Sequence, residues 1–154
     1  MLDKLVIYTD GGCRHNPGPA AIGVLIQDTS GATVRTISHY IGHGTNNQAE
    51  YRAVIAGLKE AQVLGATSVE VRSDSQLIVE QLNGRYKVKD AVLKPLFLEA
   101  CNLSRLFQNF RIGYIPRTMN READRLANQA LDSQETTQHQ PIRQAAMDLW
   151  DISA

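Results

Sequence analysis

The chain has 154 residues, a length that predicts one domain with a core large enough to fold alone. Lys plus Arg and Asp plus Glu each number 16, and this zero formal net charge excludes a surface that is basic throughout. The two cysteines, Cys13 and Cys101, exclude a disulfide framework and fit a reducing compartment. Because the chain shows no signal-peptide pattern and no membrane-spanning apolar run, we expect a soluble, cytoplasmic protein.

The first part of the chain predicts three strands. Runs rich in β-branched residues lie at 5–9, 21–27 and 33–41. Gly11 and Gly12 are expected to end the first strand, and the turn residues 28–31 are expected to join the second and third as a hairpin. The chain is therefore predicted to begin with an antiparallel meander.

Helices and strands then alternate. Helical spacing of apolar residues begins at Glu50 and stops near Gly65. Further elements are predicted in this order: a strand at 68–73, helices at 75–82 and 93–107, a strand at 110–115 and a helix at 121–131. The helix at 75–82 is expected to be capped by Ser73 or Asp74. This order predicts an α/β fold in which the first, fourth and fifth strands are parallel.

The C-terminal segment differs in composition from the rest. We expect a domain at 1–132, followed at 133–154 by a polar linker and a short amphipathic tail with Leu149 and Trp150 on its apolar side. The tail could dock on the domain or on a second subunit, or it could fray; docking and fraying are about equally favoured by the sequence. The expected state is a monomer, with self-association through the tail as the alternative.

Four acidic residues stand at the ends of predicted core elements: Asp10, Glu50, Asp74 and Asp124. In parallel α/β folds, ligands gather where strands end and loops lead into helices. A buried carboxylate is costly unless it is paired or holds a cation. We therefore expect the four side chains to meet at one edge of the sheet as a divalent-metal site.

Each carboxylate also has a simpler interpretation. Asp10 could be a turn residue before the glycines, and Asp74 taken alone is more readily a helix N-cap. Glu50 and Asp124 could be favourable anions near helix N-termini. Glu50 and Asp124 lie on the inward-facing stripes of their helices, which argues against this simpler interpretation. Four carboxylates that converge under one topology are stronger evidence for a metal site than any one of them.

The predicted cluster favours phosphodiester chemistry. Clustered like charges raise each other's pKa values, and a divalent cation removes their repulsion. Mg²⁺ prefers oxygen ligands, and two ions about 3.5–4 Å apart can activate water and stabilise a leaving oxygen. The sequence contains no zinc-type Cys/His spacing, no Walker-type phosphate loop and no evident Ser-His-Asp arrangement.

Five stretches together resemble the ribonuclease HI family, the type 1 ribonucleases H. They are TDGGC at 9–13, NPGP at 16–19, TNNQAE at 45–50, SDSQ at 73–76, and Asn120 followed by AD and LA within 123–127. In combination and in this order they are highly specific, and the resemblance covers residues 5–131. It implies the ribonuclease H-like fold: a five-stranded mixed sheet flanked by helices.

The resemblance also implies an activity, which is Mg²⁺-dependent cleavage of RNA within RNA–DNA hybrids, with Mn²⁺ as an alternative ion. Asp10, Glu50, Asp74 and Asp124 match the family's metal-binding carboxylates. Four residues match its polar contacts to the hybrid: Asn16, Thr45, Asn47 and Gln76. Short amides and hydroxyls can reach a minor groove, where the 2′-OH separates RNA from DNA. Turn and cap chemistry is the alternative for Asn16 and Asn47.

The chain departs from some family members in two places. The loop at 116–120 contains no histidine, and Arg117 is its candidate phosphate contact, with a solvated loop arginine as the simpler alternative. A large basic protrusion with Trp is replaced by a smaller cluster around Lys87 and Lys89. Such a compact form could act on other RNA-containing duplexes as well. A non-catalytic hybrid-binding module and a transposase-type or integrase-type core are the competing hypotheses.

Overall fold

The computed structural model describes residues 3–134 and 137–139, and its strands form one mixed β-sheet with helices on both faces. The elements in chain order are β1 (Lys4–Cys13), β2 (Gly18–Gln27), β3 (Thr33–Gly44), α1 (Asn46–Val63), β4 (Ser68–Ser73), α2 (Gln76–Leu82), α3 (Leu93–Ser104), β5 (Asn109–Tyr114), a 3₁₀ turn (Arg117–Met119), α4 (Arg121–Ser133) and β6 (Thr137–His139). The predicted α/β architecture is confirmed.

The strand order across the sheet is β5-β4-β1-β2-β3-β6. β2 runs antiparallel to both β1 and β3, whereas β4 is parallel to β1 and β5 is parallel to β4. These five strands form the predicted mixed sheet. β6 adds a sixth, short strand, which pairs antiparallel with Thr36, Ile37 and Ser38 of β3. It lies in the segment predicted to be a linker, and the predicted amphipathic tail lies outside the described residues.

Two glycines show that α1 and α4 cover opposite faces of the sheet. A Cβ atom on Gly57 of α1 would lie 2.7 Å from Ile7 Cγ2 of β1, so α1 rests directly on that strand. A Cβ atom on Gly23 of β2 would lie 2.0 Å from the Ala123 carbonyl oxygen of α4. Gly23 is opposite Asp10 in the β1–β2 register. Because side chains alternate along a strand, Ile7 and Asp10 point to opposite faces.

Several predicted boundaries are wrong. β1 does not end at Asp10 but continues through Gly11 and Gly12, because both glycines pair with β2. α1 begins four residues before Glu50, where Thr45 forms a capping box with Gln48. The other differences at element ends are at most three residues, including the earlier start of β2 and the later end of β3.

The predicted cap of α2 is also wrong. The helix is capped by Ser75, whose Oγ accepts a hydrogen bond from the Ile78 amide at 3.4 Å. Ser73 Oγ instead accepts a hydrogen bond from the Ser75 amide. The Asp74 carboxylate is therefore not the α2 cap, and it is available for other contacts.

The main apolar core lies between the sheet and helices α1, α2 and α3. Tyr51, Leu58 and Ile7 are fully buried within it. One ion pair is enclosed at its margin, where Arg35 of β3 donates to Glu60 of α1 at 2.9 Å, with side chains 4% and 1% exposed. Among the described residues, no helix combines the length and the apolar character needed to span a membrane.

Candidate active site

The parallel pairing of β1 and β4 brings two predicted site residues together. Thr9 is aligned with Ser73 in this register, so the next residue of each chain segment, Asp10 and Asp74, emerges at the same edge of the sheet. Both carboxylates are half-buried. The juxtaposition expected from the alternation of strands and helices is therefore present.

Glu50 reaches the same place because α1 lies against the end of β1. Its Oε1 accepts a hydrogen bond from the Gly11 amide at 2.9 Å. A Cβ atom on Gly11 would lie 2.2 Å from the carbonyl carbon of Ala49 and 2.5 Å from the Glu50 nitrogen. Only a residue without a side chain permits this approach, so Gly11 places Glu50 beside Asp10.

Replacing Gly11 with Ala is expected to move the first turns of α1 away from β1. The clash is with backbone atoms, which cannot rotate aside, so we expect a loss of about 1–3 kcal/mol of unfolding free energy. Divalent-metal affinity should fall with it, because Glu50 withdraws from Asp10. Urea unfolding and calorimetric metal titration measure the two effects. Gly12→Ala is the matched control, since its nearest neighbour would be an Asn46 side-chain oxygen at 3.7 Å; equal effects of both changes would contradict the argument.

The carboxylates of Asp10, Glu50 and Asp74 form a potential metal-binding group, each offering an oxygen within 4.8 Å of the others. They line a cavity of about 280 Å³ that Asp124 also lines. Asp124 is not part of this group: its Oδ1 lies 3.5 Å from Arg117 Nη2 and accepts from Asn128 Nδ2 at 3.2 Å. The structure thus brings three predicted ligands together and places the fourth at their side.

Asn120 is a site residue that the sequence interpretation did not identify as functional. Its buried Nδ2 donates to the Thr9 carbonyl at 2.8 Å and to Asp74 Oδ2 at 2.9 Å. Its backbone carbonyl accepts from the Asp124 amide at the start of α4. One residue therefore ties β1, the end of β4 and α4 to each other. The signal was present, since Asn120 belongs to the last matching motif, but its partners are distant in sequence.

Burial and crowding make Asp10 and Glu50 reluctant to ionise. The pKa of Asp10 is raised from 3.8 to about 8, first by burial and then by the charges of Asp74 and Asp124. The pKa of Glu50 lies well above its usual 4.5, first because of burial and then because of Asp10 and Asp74. Arg117 opposes both shifts. An all-oxygen set of crowded carboxylates suits a hard divalent cation, which would displace the protons that the raised pKa values of Asp10 and Glu50 favour.

We expect the metal-free protein to lose stability as pH rises. Between about pH 4 and 8, folded Asp10 retains a proton that the unfolded chain releases, so unfolding free energy falls across this window and levels off above it. Urea unfolding in EDTA at several pH values measures the slope. Asp10→Asn should flatten it, and Mg²⁺ should restore stability most at high pH. An unchanged slope in Asp10→Asn would refute the assignment.

A groove of about 550 Å³ with a mixed polar and apolar lining adjoins the carboxylate cavity, and Asn46 lines both. Three of the predicted nucleic-acid contacts line it, Asn16, Thr45 and Asn47. Asn16 Oδ1 also accepts from the Asn46 amide at 3.1 Å, and Thr45 caps α1, so these side chains have structural roles as well. Gln76, the first residue of α2, is exposed and lines neither cavity.

Arg117 and the basic cluster occupy different surroundings. Arg117 is 79% exposed and lines the carboxylate cavity. Arg85, Lys87 and Lys89 are exposed in the loop between α2 and α3, where Arg85 pairs with Glu80. The Lys87 carbonyl accepts from buried Gln81 at 3.5 Å. The loop is thus basic, and it is attached to the core through Gln81 and through the packing of Val88.

Known proteins that resemble this chain agree with the fold and the site described above. A protein-family model described as reverse transcriptase-like matches residues 8–130. The bifunctional protein Rv2228c of Mycobacterium tuberculosis is 47% identical over 131 residues, covering 84% of this chain and 36% of that protein. The chain therefore spans about a third of the length of this curated relative.

Two solved structures match over nearly their whole length. The crystal structure of RNase H1 from Halobacterium salinarum has a TM-score of 0.83 at 42% identity, covering 84% of this chain and 98% of the other. LC11-RNase H1 in complex with an RNA/DNA hybrid has a TM-score of 0.80 at 46% identity, covering 84% and 97%. The chain belongs to the ribonuclease HI family, as its five motifs indicate.

Proposed function

We propose that the chain is an endoribonuclease that hydrolyses the RNA strand of RNA–DNA hybrids and leaves 3′-OH and 5′-phosphate ends. The observation that carries this proposal is the carboxylate group of Asp10, Glu50 and Asp74 in one cavity, beside a groove whose lining includes several amides and a hydroxyl. A metal-bound phosphodiester and a strand with 2′-hydroxyls are the ligands that these two surfaces suit. The hybrid bound by LC11-RNase H1 supports the same substrate class.

The proposed roles of the residues follow from their positions. Asp10, Glu50 and Asp74 would hold Mg²⁺, and Asp124 would complete the set for a second ion. Two bound ions would activate a water for attack on phosphorus and stabilise the leaving 3′ oxygen. Asn120 would keep the Asp74 carboxylate aimed at the cavity through its hydrogen bond to Oδ2. Arg117 would contact a phosphate, as its exposure and its place in the cavity wall allow.

The groove residues would distinguish RNA from DNA. Asn16, Thr45 and Asn47 would contact the minor groove, and Gln76 would extend this surface from the start of α2. Neutral donors and acceptors of this kind read 2′-hydroxyls without requiring a base sequence. We also propose that the protein acts as a monomer, with other RNA-containing duplexes as further substrates.

A cleavage assay on matched duplexes tests the function. RNA–DNA, RNA–RNA and DNA–DNA duplexes of one sequence are incubated with Mg²⁺, with Mn²⁺ and with EDTA, and the expected result is metal-dependent cleavage of the RNA strand in the hybrid. Treating the products with phosphatase and with ligase identifies their 3′ and 5′ ends. Hybrid binding without cleavage under either metal would favour a binding module, and the three mutually repelling carboxylates would then lack a purpose.

A further inference from the structure

Two arginines line the cavity that holds the carboxylates, and each is paired with an acid of α4. Arg117 lies near Asp124, at the start of the helix, and Arg14 pairs with Asp132, near its end. Asp132 lies about 12 Å further along the helix axis than Asp124. The cavity therefore has cationic groups at two separated places along α4, of which only the Arg117 position was predicted from the sequence.

The backbone at Arg14 is held firmly in place. Its amide donates to the Pro19 carbonyl at 2.9 Å, which closes the loop between β1 and β2. Gly18 packs so closely that a Cβ atom there would lie 1.9 Å from the Arg14 carbonyl oxygen. The neighbouring Cys13 amide donates to Asn46 Oδ1 at the start of α1. The loop thus fixes where the Arg14 side chain starts, beside the carboxylates.

Asp132 holds the Arg14 guanidinium only weakly. The side chains of Arg14 and Asp132 are 45% and 70% exposed, and an ion pair so open to water contributes little to stability. A guanidinium binds a phosphate through two parallel charge-assisted hydrogen bonds, which are stronger. A phosphate that binds on this side of the carboxylate cavity could therefore displace Asp132 from the Arg14 guanidinium with little loss of free energy.

We propose that Arg14 binds a backbone phosphate of the nucleic acid that crosses the carboxylate cavity, and that Asp132 holds the guanidinium ready and releases it to that phosphate. The proposal rests on the proposed hybrid substrate and extends the contact surface to a second position along the strand. Arg14 is a binding residue in this scheme, so its removal changes substrate affinity rather than the chemical step.

The test is a pair of charge changes with opposite expected signs. Arg14→Gln should raise KM for the hybrid about tenfold, with kcat within about twofold, because one charge-assisted contact is lost. The slope of log KM against log salt should fall by about one. Asp132→Asn should lower KM at low salt, because the arginine is no longer held by an internal anion. Arg105→Gln, an exposed arginine at the end of α3, is the matched control.

Three outcomes would overturn the proposal. If Arg14→Gln and Asp132→Asn both raised KM and lowered the melting temperature together, the pair would be a structural contact. If Arg14→Gln matched Arg105→Gln in KM and salt slope while the unchanged protein cleaved hybrids, Arg14 would not touch the substrate, and the proposed function would stand. If the unchanged protein neither bound nor cleaved hybrids, the proposed function itself would fail.

Discussion

Asp10→Asn is expected to reduce hybrid cleavage by at least about a hundredfold and yet to stabilise the metal-free protein. Loss of residues that merely support metal ligands costs 10–100-fold in many metal sites, so about a hundredfold is a lower bound for a ligand itself. The stabilisation follows because burial, together with the charges of Asp74 and Asp124, raises the pKa of Asp10 to about 8. An uncharged amide of the same shape removes that repulsion.

The two readouts separate a functional site from a structural one. Cleavage is measured with Mg²⁺ in excess, and thermal unfolding is measured in EDTA above pH 8, where the wild-type carboxylate is ionised. Asp74→Asn should behave in the same way. Glu99→Gln removes an acid that is 44% exposed and paired with Lys59, and it should change neither quantity appreciably. Wild-type cleavage by Asp74→Asn would end the two-metal assignment.

Glu60→Leu is expected to cost about 3–5 kcal/mol of unfolding free energy, the largest stability loss that we expect from a single substitution here. The change would leave the Arg35 guanidinium, only 4% exposed, without the carboxylate that it contacts at 2.9 Å. Removing one member of a buried ion pair is far costlier than removing both. Urea unfolding of Glu60→Leu and of Arg35→Met measures each loss.

The double variant gives the decisive comparison. Arg35→Met with Glu60→Leu should be more stable than Glu60→Leu alone, because apolar side chains of similar size then fill the site without a buried charge. Glu99→Leu, which breaks the exposed pair with Lys59, should cost less than about 1 kcal/mol. Additive losses in the double variant would mean that Arg35 and Glu60 act separately.

Local sequence patterns predicted most of the fold, because the elements carry their own periodicity. The β-branched runs of β1 to β3 and the inward stripe of α1 needed no distant information. The parallel arrangement followed from alternation alone, and it was enough to place Asp10 beside Asp74. The predicted break at Gly11 and Gly12 was wrong because both residues pair with β2, and Gly11 permits the close approach of α1.

What the sequence did not reveal depends on contacts between distant residues. Arg35 and Glu60 look like solvated charges until β3 and α1 are packed together. Asn120 gains its role only when its amide meets Thr9 and Asp74, and neither partner is near it along the chain. Asp124, predicted as the fourth metal ligand, lies beside the group of three in contact with Arg117 and Asn128, and its part in metal binding stays a prediction.

The bond from Asn120 to the Thr9 carbonyl joins residues 111 positions apart. During synthesis the chain would thus carry its first carboxylate long before the segment that completes the cavity has left the ribosome. Pairing of such distant segments is a late and slow event in folding. The growing polypeptide would stay unable to cut nucleic acid until α4 has docked, so cleavage competence would coincide with completion of the domain.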